Sequence, residues 1–222
     1  MVFGRFHANA VVTAKHFNPS LLRDFWLVDN GVLSRDDFMP GCVHTDAFVS
    51  IIARPFSLLV APDRLQFEPS GSAEHHQSTV VDKLGKIVRT LPHTPFTALG
   101  LNFTWYLQIP EEATVEEVTR AMFSAPDQIP LQRQFLEPNA KFGIYCSKDA
   151  LGFRLRLDIK PIEIDTNDTI QFAFNFHRGF SGQGSGADEV VEAIEKWDES
   201  HNLSWEMLSE SVEREAGHAR AF

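Results

Sequence analysis

The sequence predicts an α+β protein. Its core is a mainly antiparallel sheet built from two β-α-β-β-β-α pseudo-repeats, with helices packed on one face and a long C-terminal helix. Three observations carry this expectation. Each half of the chain opens on an alternating strand: Phe6, Ala8, Ala10 and Val12 in the first, Leu99, Leu101, Phe103, Trp105 and Leu107 in the second. The strand, helix, strands, helix order recurs in both halves. The later strands alternate apolar and polar residues, which marks antiparallel strands with one wet face rather than a buried parallel sheet. Residues 1–92 form the first repeat and 93–222 the second, and together they are expected to make one unit.

The first strand spans Arg5 to Phe17, with even positions apolar and odd positions mostly polar. Asn18-Pro19 reads as an N-cap followed by proline at the first helical position. Leu21, Leu22, Phe25 and Trp26 then form one face of a helix that Asn30-Gly31 ends. Strands are expected over His44 to Ala53 and Phe56 to Val60, a turn at Ala61-Pro62-Asp63, and a short return strand over Leu65 to Phe67. Val80, Val81, Leu84, Ile87, Val88 and Leu91 fit a 3.6-residue period and predict a helix over His75 to Leu91, stopped by Pro92.

The second half starts with a strand over Phe96 to Ile109. Thr114 and Glu117 then have capping-box spacing for a short helix carrying Val115, Val118 and Met122. Three strands follow. The first is Lys141 to Cys146. The second points Phe153, Leu155, Leu157 and Ile159 inward, and the third Ile170, Phe172, Phe174 and Phe176. Val190, Ile194, Trp197, His201, Trp205, Leu208 and Val212 recur at spacings of four and three. They predict either one continuous helix or two helices broken near Ser200 to Asn202.

Composition narrows the function classes. Net charge is -10, and residues 187–216 carry ten acidic and two basic side chains, which leaves -2 for the rest. Nucleic acid is not an expected partner, because phosphate neutralisation needs a basic surface. The acidic segment reads as a solvated helix face, or as a docking surface for a basic partner. No window approaches the ~18 apolar residues of a membrane helix, and Arg5, His7 and Asn9 interrupt any signal-peptide core. The expected location is cytoplasmic, with no membrane association. Nineteen Phe against two Tyr call for a thick core, a ligand cavity or an apolar interface. Cys42 and Cys146 read as buried free thiols.

No catalytic signature is present, and no catalytic residue is assigned. The glycine-rich run Gly179 to Gly186 follows a strand and precedes a helix. It lacks the Lys-Ser/Thr of a phosphate loop, and Asp188 and Glu189 already occupy the helix start. His44, Asp46, His75 and His76 lack metal-ligand spacing, so neither a metal nor a cofactor is expected. One concentrated polar surface remains. If the strands pair in sequence order, the outer sheet face gathers Arg154, Arg156, Lys160, Tyr145, Asn175 and His177, and binding is expected at Arg154, Arg156, Tyr145, Asn175 and His177.

The pieces FSLLVAPDRLQF, LGLNFTW, FRLRLDIKP and IEKWDESHNLSWEMLSESV occur here in that order. In this it resembles a sporadically distributed bacterial family of uncharacterised two-repeat α+β proteins. Asn102 and Phe103 stand where that family usually has arginine or tyrosine. The resemblance implies a two-repeat fold and transfers no catalytic residue. The reading is a non-enzymatic binding or assembly protein of a bacterial or phage system, with a protein partner or a second copy as its ligand. The alternatives are a helix-grip carrier, in which the sheet wraps the final helix around an apolar small molecule, and a hydrolase.

Overall fold

A computed structural model describes residues 2–109, 112–180 and 186–218. Nine strands form one antiparallel sheet in the order β2-β3-β4-β5-β1-β6-β9-β8-β7. The strands are β1 (Val2–Ala14), β2 (Val43–His44), β3 (Val49–Ile52), β4 (Phe56–Val60), β5 (Arg64–Pro69), β6 (Phe96–Gln108), β7 (Ile144–Ala150), β8 (Phe153–Ile164) and β9 (Asn167–Gly179). The two long strands that open the two halves, β1 and β6, pair with each other at the centre of the sheet.

The period-two pattern sets the register. Ala10 lies opposite Leu101 and Leu101 opposite Phe176, while Phe103 faces Phe174 and Trp105 faces Phe172. All of these point to the same side, where Phe103, Phe172, Phe174, Phe176, Leu155 and Phe153 are buried. The helices cover that side. Trp197 meets Phe103 with ring centroids 4.9 Å apart, and Trp105 meets Phe174 at 5.6 Å. The phenylalanine-rich composition therefore supplies a thick core between sheet and helices.

Several local boundaries differ from the sequence expectation, each for a visible reason. The first helix, α1 (Asp24–Asp29), starts late because the preceding residues close turns of their own. Asn18 Oδ1 accepts from the Ser20 N–H, and the Leu21 and Leu22 amides bond back to Asn18 and Pro19. Leu22 and Leu27 are buried, while Phe25 is exposed. Gly31, at φ +62, ends the helix as expected. The span His44 to Ala53 is a hairpin rather than one strand, because Thr45 and Phe48 bond to each other across its turn. Extended structure reaches Pro69 in β5, two residues beyond the expected return strand.

The predicted helix over His75 to Leu91 is a rod in three parts: α2 (His76–Thr79), a π-helical turn over Val80–Leu84, and α3 (Gly85–Arg89). Val80, Leu84, Ile87 and Val88 are buried along it. The capping box is present at α4 (Val115–Phe123), with the Glu117 N–H donating to Thr114 Oγ1. Strand β7 begins at Ile144 instead of Lys141, because the preceding residues are held by α4. The Phe142 N–H donates to Thr119 Oγ1, and Lys141 pairs with Glu116 and Asp168.

The C-terminal helix is divided into α5 (Ala187–Ile194) and α6 (Trp197–His218). The break falls at Glu195–Lys196, before Ser200 to Asn202. A side chain from α2 explains it. Gln77 Nε2 donates to the Glu195 carbonyl, and Gln77 Oε1 accepts from the Asp198 N–H. One amide thus satisfies backbone groups on both sides of the interruption. Val190, Ile194, Trp197 and Leu208 are buried, whereas Trp205 is exposed and His201 half-buried at the edge of the interface.

Candidate functional site

The opposite face of the sheet carries the predicted residues. On β1, β6 and β9, outward side chains such as Asn9, Thr104, Asn175 and His177 are half-buried, and on β8 Arg154, Arg156 and Lys160 are exposed. Strand pairing organises them into rows. Asn9, Asn102 and Asn175 lie directly opposite one another, and Arg156 on β8 continues the row. The next row is Val11, Gly100, His177 and Arg154.

The asparagines form a directional amide ladder. Asn175 Nδ2 donates to Asn102 Oδ1 at 2.7 Å, and Asn102 Nδ2 donates to Asn9 Oδ1 at 2.8 Å. Gly100 clears the space for it: a Cβ there would stand 3.2 Å from Asn175 Nδ2. The order leaves Asn175 Oδ1 as the acceptor at the Arg156 end of the row. At the other side of the face, His7 Nε2 pairs with Glu68 Oε1 at 3.0 Å.

The two arginines differ. Arg154 is held by Asp149 at 3.2 Å and by Ser147 Oγ at 2.6 Å. Arg156 makes no ion pair among the described residues. Burial, assisted by the Arg156 guanidinium, holds the His177 imidazole below its ordinary pKa and favours the neutral ring. The corner formed by Asn175, His177 and Arg156 thus presents an amide acceptor, an imidazole and an uncompensated guanidinium. Such a set suits hydrogen bonding to a carboxylate-bearing partner.

Of the five predicted residues, four fall into two neighbouring cross-strand pairs, Arg154 with His177 and Arg156 with Asn175. Tyr145 lies on the same face but opposite Asp158 on β7, two strands from Asn175. Sequence reasoning missed Asn9, Asn102 and Gly100, and a signal was available. Asparagine is depleted in strands, yet each of three long strands holds one near its middle at a polar-face position.

Other singled-out residues sit elsewhere. His44 Nε2 pairs with Asp24 Oδ1 at 2.7 Å, tying β2 to α1. His76 is buried and directs Nε2 at the Gly71 carbonyl. Cys146 is exposed on the edge strand β7 and Cys42 is half-buried, so neither cysteine is the buried thiol expected. Most of the glycine-rich run lies outside the described residues. Among the described residues, no three His, Cys, Asp or Glu side chains cluster as a metal would require, and no helix is long and apolar enough to cross a membrane.

A scan against protein-family models finds no match for this chain, and a search of curated proteins returns none either.

Proposed function

We propose that this chain is a non-enzymatic binding protein that receives a protein partner on the open face of its sheet. The observation that carries the reading is the amide ladder ending at Arg156. A row of three asparagines costs strand propensity, and it leads to a guanidinium that makes no ion pair among the described residues, the neighbouring Asp149 and Asp158 being engaged by Arg154 and Lys160. The partner that fits is a segment bringing a carboxylate to Arg156 and hydrogen-bonding groups to Asn175. The resemblance to sporadically distributed bacterial proteins belongs to the same proposal, and so does a role in a bacterial or phage assembly.

The two-repeat organisation is also proposed. It is supported by the strand order, in which β1 pairs with β5, the last strand of its half, and β6 pairs with β9, the last of its own. The two opening strands then meet antiparallel at the centre.

The test is affinity capture from the native host with three baits: the wild type, Arg156→Glu combined with Asn102→Ala, and Glu192→Lys with Glu195→Lys and Glu199→Lys on the helical face. Proteins lost by the sheet-face bait and retained by the helix-face bait support the reading. An unchanged capture profile for the sheet-face bait overturns it. Native mass spectrometry of the wild type examines the carrier alternative, which requires a co-purified apolar molecule.

A further inference from the structure

We propose that β7 is a self-association edge, pairing antiparallel with β7 of a second copy about a twofold axis at Ser147. The strand ends the sheet order and runs in unbroken register with β8 over seven pairs, Ile144 with Ile159 through Ala150 with Phe153. It is exposed along Ile144 to Asp149. Edge strands are commonly protected by shortness, proline or a bulge. This one is of ordinary length, contains no proline and has no register shift, and Lys148 is its one cationic side chain.

The occupant is a second copy for two reasons. The far edge of the sheet, β2, has only two residues, so head-to-tail extension would form two pairs where β7 with itself forms seven. A twofold pairing also closes, giving a finite dimer instead of a fibre. In that register Tyr145 faces Asp149 of the second copy, and Ile144 faces its Ala150.

Apolar side chains are exposed on β7 and in the segment that precedes it. The segment leading into β7 exposes Leu131 (70%), Leu136 (62%), Phe135 (49%) and Ile129 (46%), and β7 adds Tyr145 (62%) and Ile144 (42%). Phe135 and Tyr145 alone leave roughly 200 Å² in water, given side chains of about 150–250 Å². A standard interface needs about 800 Å² per partner, and Ile144 and Tyr145 on β7 contribute to it directly.

The experiment is sedimentation velocity on the purified full chain between about 1 and 200 µM, a range that brackets micromolar association. The expected result is a concentration-dependent dimer, weakened at least roughly tenfold by Ile144→Lys with Tyr145→Lys. A second measurement reads the register. In a Cys42→Ser, Cys146→Ser background, Ser147→Cys places two thiols opposite each other at a Cα separation of about 4.5–5.5 Å. Asp149→Cys places them about 13 Å apart along the strand, beyond disulfide reach. Oxidation should cross-link the Ser147→Cys chain and spare the Asp149→Cys chain. A monomer across the range, or equal cross-linking of both, overturns the proposal. Arg156→Glu should leave the dimer intact, so loss of this inference and loss of the open-face reading are separately visible.

Discussion

At Thr166 the backbone adopts φ +69, and Asp165 before it φ +48, in the two-residue turn joining β8 to β9. Such hairpin turns need positive φ at both central residues, and Asp-Gly is among the favoured pairs. A β-branched residue there is strained, because its Cβ crowds the backbone. Thr166→Gly should therefore stabilise the protein by about 1 kcal/mol, read as a higher chemical-denaturation midpoint with unchanged slope. His76 gives a second residue-scale expectation. Burial holds its pKa below 6.5, against the opposing hydrogen bond to Gly71, and nearby His201 and His75 lower it while Glu68 raises it. A depressed imidazole pKa means that the unfolded chain takes up the proton first. The contribution to stability is complete above about pH 6.5 and is lost as the pH falls toward the folded value; His177 acts in the same direction. Tm should fall between pH 7.5 and pH 5, and less steeply in His76→Gln. A Tm flat over that window contradicts the assignment.

At the scale of elements, α5 and α6 act as a clamp on the sheet. Val190, Ile194, Trp197 and Leu208 are buried against it, while acidic side chains such as Glu189, Glu192 and Glu199 face water. Truncation after Gly186 should expose Phe103 and its neighbours and cause aggregation. Reversing Glu192, Glu195 and Glu199 to lysine should leave the fold close to intact, although it breaks the pairs with Arg178 and Lys196. Exposed pairs contribute about 0–1 kcal/mol each, so thermal unfolding should shift by only a few degrees. A soluble, cooperatively folding truncation would remove the clamp. The long strands were legible because period-two patterning over Phe96 to Gln108 and Phe153 to Ile159 allows one burial pattern. The capping box at Thr114 and Glu117 was legible because its partners lie three residues apart. The division of α5 from α6 was not, because its cause is Gln77, more than a hundred residues away. The late start of α1 was hidden by Asn18-Pro19, whose capping signature closed a turn instead. At the site, alternation sufficed to place Arg154, Arg156, Asn175 and His177 on one face. The ladder to Asn102 and Asn9 depended on long-range register, which no local pattern reports.

At the scale of the whole molecule, the sheet has one face packed by helices and one carrying half-buried amides and imidazoles with exposed guanidinium groups. The two sides also differ in charge. The helical layer holds most of the acidic excess, while Arg154, Arg156 and Lys160 lie on the open face beside Asp149 and Asp158. A carboxylate-bearing partner should therefore be repelled by the helices and find its hydrogen bonds on the strands. Site-specific photo-cross-linking tests this most directly. A photoreactive side chain replacing Thr104, two residues from Asn102 on the same face, would leave Arg156 and the asparagines in place; it would be compared with one replacing Gln66 farther across that face and one replacing Glu192 on α5, in the native host. The account predicts a discrete heterologous adduct from the open-face positions, strongest near the ladder, and none from Glu192. An adduct from Glu192 alone, or equal labelling from both faces, would contradict it.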